Sequence, residues 1–163
     1  MATNIALKSD TQSDDPMLQW VTFRLEHEIY GVNVMQVKEV LRYSEIATVP
    51  GAPSFVLGIV HLRGTVVTVI DTCLRFGLPS GEMTDSTRII ILEVEGRVSC
   101  IPVDAVSEVV CLRQSEIEPS PNGGNDESSK FIQGVCHKND TLLILVELAK
   151  LLSDEEWSDV ASL

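Results

Sequence analysis

Residues 49–71 read VPGAPSFVLGIVHLRGTVVTVID. Val, Ile and Leu crowd residues 56–70, but Gly58 and Gly64 interrupt them. β-branched side chains suit a pleated surface, and a glycine inside such a run marks a bend, a bulge or a close backbone approach. The stretch therefore predicts two bent strands, Val56 to Ile70, rather than a helix. Pro50 and Pro53 ahead of it force an extended, turn-rich lead-in. Asp71 to Leu78 behind it (DTCLRFGL) predicts a helical turn capped by Asp71 and closed at Gly77.

Working outward, Leu18–Leu25 (LQWVTFRL) alternates as a half-buried strand. His27-Glu28 reads as its turn and Ile29–Val34 as the return strand. Val34–Leu41 (VMQVKEVL) spaces Val34, Val37, Val40 and Leu41 like one or two helical turns. Arg88–Val94, Val98–Val103 and Val109–Leu112 are further strands, with Glu95-Gly96 as the turn between the first two. Asp104 is placed to cap a short helical turn, and residues 118–129 (EPSPNGGNDESS) read as a flexible insertion. Phe131–His137 and Thr141–Glu147 are the last strands, with a turn over 138–140, and Leu148–Trp157 a short C-terminal helix. Residues 1–17 are expected to be an acidic, disordered tail, 18–152 the folded part, and 153–163 a helix end or tail. Many short strands bounded by turn residues make the chain mainly β, a barrel or sandwich. A loose internal echo accompanies this: FVLGIVHLRGTVVTVID at 55–71 recurs as FIQGVCHKNDTLLILVE at 131–147.

The 163 residues carry a net charge of -12, which would repel a phosphate backbone or anionic lipid, so neither nucleic acid nor direct membrane contact is expected. No apolar stretch approaches the roughly 20 residues of a membrane helix, and no signal-peptide pattern opens the chain. Cys73, Cys100, Cys111 and Cys136 form no CxxC pair. The last three, set among apolar residues, read as small buried hydrophobes of a reducing cytosol. His27, His61 and His137 fall in no metal or catalytic pattern, and no phosphate-binding loop or nucleophile elbow occurs. Catalytic residues, metal and cofactor are accordingly expected to be none. Asp71 and Asp104 end apolar strands, where an enzyme would place carboxylates, but capping of the following turn is the simpler role.

Arg63 stands between two apolar strands beside Gly64, so burial would demand a partner, and Glu39 in the VKEV segment is the candidate; a strand-end arginine pointing into solvent is the alternative. A bidentate pair would hold the segment around Glu39 against the sheet. Gly58, Gly64 and Gly134 either permit backbone bends or leave a shallow groove for a partner helix.

At these residues the chain resembles the CheW family. The segment 49–71 is similar to the family's signature around its arginine and acid-terminated strand. FRLEHEIYGVNVMQVKEVL, IPVDAVSEVV and FIQGVCHKNDTLLILVEL support it in the same order, covering about 18–152. The resemblance implies two small Src-homology-3-like five-stranded β-barrels packed together, with short helices. It implies no enzymatic activity, and partners in the regulatory domain of the histidine kinase CheA and the cytoplasmic tip of a chemoreceptor. It implies a cytoplasmic protein recruited to membrane receptor arrays. By position, Arg63 matches the family arginine and Glu39 its acidic companion, while Val37, Gly58, Ile59, Gly64 and Gly134 match positions near the receptor groove or barrel junction. Thr68, Thr72, His61 and Val146-Glu147 depart from the family pattern, which leaves the exact partner open. No receiver domain is expected to follow, unlike in the longer CheV architecture. A relative serving a type IV pilus or other non-flagellar pathway is the alternative.

Overall fold

The computed structural model describes residues 15–79, 83–119, 131–138 and 140–161. Ten strands form two five-stranded sheets. The first is ordered β8-β1-β2-β10-β9, from β1 (Met17–Leu25), β2 (Glu28–Asn33), β8 (Ala105–Arg113), β9 (Ile132–Lys138) and β10 (Thr141–Val146). The second is ordered β3-β6-β7-β5-β4, from β3 (Val37–Arg42), β4 (Val56–Leu62), β5 (Thr65–Ile70), β6 (Arg88–Val94) and β7 (Arg97–Val103). The second sheet is thus inserted whole into the chain of the first.

Each sheet closes on itself. In the inserted barrel Ala47 and Ile59 exchange two backbone hydrogen bonds of 2.9 and 2.8 Å, joining the exit of β3 to β4. In the terminal barrel Glu118 and Val135 do the same at 2.8 Å each, joining the exit of β8 to β9. Each closing bridge brings the two end strands of its sheet together and limits the sheet edge left open.

Each barrel has its own core. Trp20, Leu112, Cys136, Leu143 and Leu145 fill the terminal one, and Val60, Val67, Val69, Ile89, Ile91 and Cys100 the inserted one. A third, larger core lies between them. Phe23, Tyr30 and Val32 meet Ile70, Ile90, Leu92 and Ile101 there. This explains the unbroken RIIILEV run. Ile89 and Ile91 face the barrel interior while Ile90 and Leu92 face the joint, so β6 is apolar on both faces. The joint is keyed by α1 (Thr72–Phe76), whose Phe76 stacks on Phe131 at 4.3 Å and tilts against Tyr30 at 4.8 Å. Asp71 caps α1 through Leu74 N–H, and Gly77 closes it with a hydrogen bond to Leu74 O, as its sequence predicts.

Several expectations are corrected. Val34–Leu41 is not helical beyond a 3-10 turn at Val34–Gln36. From Val37 it is strand, with Val37, Glu39 and Leu41 turned inward and Lys38, Val40 and Arg42 outward. Valines there satisfy either period, and pairing with β6 decided for two. The first hairpin turns at Glu26-His27, one residue earlier than predicted, with Glu26 at positive φ. Asp104 caps no helix. It is the single residue between β7 and β8, where its backbone N–H bonds Arg24 O and its carboxylate accepts from Glu26 N–H at 2.8 Å. Strand β8 accordingly starts at Ala105, well before the predicted Val109. The C-terminal segment is not one helix but a 3-10 turn, Leu148–Lys150, and a separate helix α2 (Asp154–Ala161). Cys111 is exposed on β8, whereas Cys100 and Cys136 are buried; burial pushes the Cys100 thiol up to about 12. The tail before Asp15 and most of the 118–129 insertion lie outside the described residues.

Candidate functional site: the barrel surfaces around Arg63

The β4–β5 hairpin decides where Arg63 goes. Leu62 pairs with Thr65, leaving Arg63-Gly64 as a two-residue loop. Both have positive φ, 52° and 81°, the pattern of a type I′ turn. Gly64 adopts it freely, and its Cα faces open space. Arg63 is thereby carried to the barrel rim.

Arg63 Nη2 donates to Glu39 Oε1 at 2.6 Å, so the expected partner is the observed one. The expected reason is not. The Arg63 side chain is 80% exposed, so no buried charge needs compensation, and the contact is single rather than bidentate. An exposed pair of this kind is worth about 0–1 kcal/mol. It matters by orientation, because it crosses the seam between β3 and the β4–β5 hairpin.

Of the other expected residues, Ile59 bridges to Ala47 beside this seam, and Val37 opens β3 and packs toward the joint. Gly58 is buried beneath the closing bridge. A Cβ there would lie 2.2 Å from Ala47 O and 2.8 Å from Ile46 Cγ2. Gly134 is in the other barrel, where a Cβ would meet Glu118 O and Ile117 Cγ2 at 2.7 Å. These two glycines are close-approach points within each barrel, and they sit at matching places of the 55–71 and 131–147 echo. The seven residues therefore do not form one patch. Glu39, Arg63 and Gly64 share a rim, Ile59 and Gly58 lie behind it, Val37 borders the joint, and Gly134 belongs to the terminal barrel.

Exposed apolar side chains are what sequence reasoning missed. Val40, Tyr43 and Val66 stand out on the inserted barrel, Val109 and Leu142 on the terminal one. The echo carried the signal. Val66 opposes His61 across one hairpin and Leu142 opposes His137 across the other, so the same His-aliphatic pair recurs. A cleft of about 510 Å³ opens on the terminal barrel, with Thr22, Ile29, Glu108, Val109, Lys138 and Leu143 among its lining.

The carboxylates set aside for chemistry are occupied. Asp71 and Asp104 line a small cavity of about 60 Å³, but Asp71 caps α1 and Asp104 holds Glu26. Both act as hydrogen-bond acceptors for backbone N–H groups, which is what a structural cap does. Among the described residues no group of His, Cys, Asp and Glu is arranged to hold a metal, and no helix is long and apolar enough to cross a membrane.

Comparison with known proteins places this architecture. A CheW-like domain model matches residues 19–156. The chemotaxis protein CheW of Klebsiella aerogenes is 32% identical over 140 residues, 86% of this chain and 84% of that one. Protein FrzA of Myxococcus xanthus is 30% identical over 165 residues, 99% of each. The crystal structure of the scaffolding protein TtCheW from Thermoanaerobacter tengcongensis superposes with a TM-score of 0.76 at 33% identity, covering 85% of this chain and 94% of that one. With two closed five-stranded barrels of the Src-homology-3-like kind, joined through one core and matched over nearly their whole length, the chain belongs to the CheW-like family of chemotaxis scaffold proteins.

Proposed function

We propose that this protein couples a chemoreceptor to the histidine kinase CheA without catalysing a reaction. A helix of the receptor tip would lie in the groove at the joint between the barrels, with the Arg63–Glu39 pair at its edge. An apolar barrel surface would meet the kinase's regulatory domain. The protein would remain in the cytoplasm and reach the membrane through the receptor.

The observation that carries this reading is the repeated display of exposed aliphatics, Val66 and Leu142, at matching sites on two closed barrels. These side chains offer an apolar contact surface on the face of each barrel. Coupling needs two separable contacts on one rigid body, each sensitive to its partner's state. A type IV pilus or other non-flagellar pathway is the second reading; the genes beside this one would separate the two.

The test is a pull-down with a receptor-tip fragment and the kinase regulatory domain. Arg63→Glu places like charges against Glu39 at an exposed site, so folding should survive. It should cut receptor capture at least tenfold and leave kinase capture intact. Normal receptor capture by a folded Arg63→Glu protein would remove Arg63 from the groove. Gly58→Asp is unsuited to this test, because its side chain would strike the closing bridge.

A further inference from the structure

The helix α2 follows the last strand of the terminal barrel and docks on the inserted barrel. Trp157 is buried, and the Arg97 guanidinium, from β7, stands 5.5 Å over its ring. Arg75, on α1, donates Nη1 and Nη2 to the two oxygens of Glu156 at 3.0 and 3.2 Å and Nε to Leu151 O at 3.1 Å. The next residue along α1 is Phe76, which keys the two barrels together. The fastening of α2 and the joint therefore share one short helix.

Glu156 does two things at once. It accepts from Ser153 N–H at 2.8 Å while Ser153 Oγ accepts from Glu156 N–H at 3.1 Å, a reciprocal cap on the start of α2. The same carboxylate grips Arg75. Partial burial would raise its pKa, but the Ser153 hydrogen bond and the charge and hydrogen bonds of Arg75 outweigh this and hold it below the usual range. Helix formation and docking thus depend on one group, so they should be gained and lost together. Docking also has a built-in penalty. The Trp157 indole N–H is buried with no hydrogen-bond partner among the described residues, and release would return it to water.

We propose that α2 is a releasable strap across the joint, fastened by the Arg75–Glu156 pair, and that its docking sets the angle between the two barrels. This goes beyond the coupling reading and does not depend on it. The test uses the full chain without partners. Arg75→Gln should speed amide hydrogen exchange in 154–161 at least tenfold while β1 and β6 exchange as before. Residual dipolar couplings should show the two barrels, each unchanged within itself, reoriented or spread relative to one another. Glu156→Gln keeps an acceptor for Ser153 but not the charge, and serves if Arg75→Gln fails to fold; it should give the same result more weakly. Exchange of α2 in step with the core strands, in the native protein and the variant alike, would show that it is no strap. Fast exchange of α2 with unaltered inter-barrel couplings would show that it does not set the angle.

Discussion

The two barrels are built alike in backbone and unlike in side chains. Each has a hairpin whose first strand carries a glycine under a two-bond bridge, Gly58 under Ala47·Ile59 and Gly134 under Glu118·Val135. Each hairpin ends on an acid whose N–H bonds the phenylalanine carbonyl at its start, Asp71 to Phe55 at 2.8 Å and Glu147 to Phe131 at 2.7 Å. The seams then diverge. Arg63 reaches a carboxylate, Glu39, in the inserted barrel, whereas Lys138 Nζ reaches a backbone oxygen, Cys111 O, at 3.3 Å in the terminal barrel. Asp71 caps a true helical turn through its side chain, but Glu147 makes no such bond and a 3-10 turn follows. What closes a barrel is shared, as is the exposed aliphatic opposite each hairpin histidine, whereas the polar contacts at the two rims differ. The close approach at the glycines thus belongs to the closure of each barrel.

Five substitutions test how far that equivalence reaches. Phe76→Ala should cost most, about 3–5 kcal/mol, because it empties the joint both barrels share. Denaturation should remain a single transition; two separated transitions would show that the barrels fold independently. Gly58→Ala and Gly134→Ala come next, at about 1–3 kcal/mol or more. Gly58 should be the worse of the two, since its added Cβ meets a backbone oxygen at 2.2 Å rather than 2.7 Å. Equal midpoints in urea would mean that the terminal bridge is as unyielding as the inserted one. The smallest pair is Asp71→Ala against Glu147→Ala. Loss of a capping side chain costs about 1 kcal/mol, so only the first should lower the thermal midpoint measurably. A comparable loss from Glu147→Ala would reveal a role for that carboxylate beyond its Lys150 contact.

The hairpins, the Asp71 cap and the Arg63–Glu39 pairing were all legible in the chain. The hairpins and the cap rest on neighbours a few residues apart, whereas the pair spans 24 residues and was reached through a burial that the structure does not show; the echo of 55–71 in 131–147 is a true structural repeat. Other features were hidden for a physical reason. The VMQVKEVL segment suits both periods, so only its pairing with β6 could choose. Asp104 looked like a helix cap because a cap and a crossover post use the same carboxylate chemistry. Arg63 looked buried because its neighbours are apolar, yet a type I′ turn turned it out to solvent.

By itself the sequence determined that the chain makes short, glycine-bent strands in two related sets, because alternation, β-branching and turn residues act over a handful of positions. Only the tertiary structure decided that the second barrel is inserted within the first. It also decided that one core joins them through Phe76, and that α2 is tied to Arg75 rather than left loose. Those outcomes depend on contacts between residues far apart in the chain, such as Arg75 and Glu156, whose meeting no local pattern encodes.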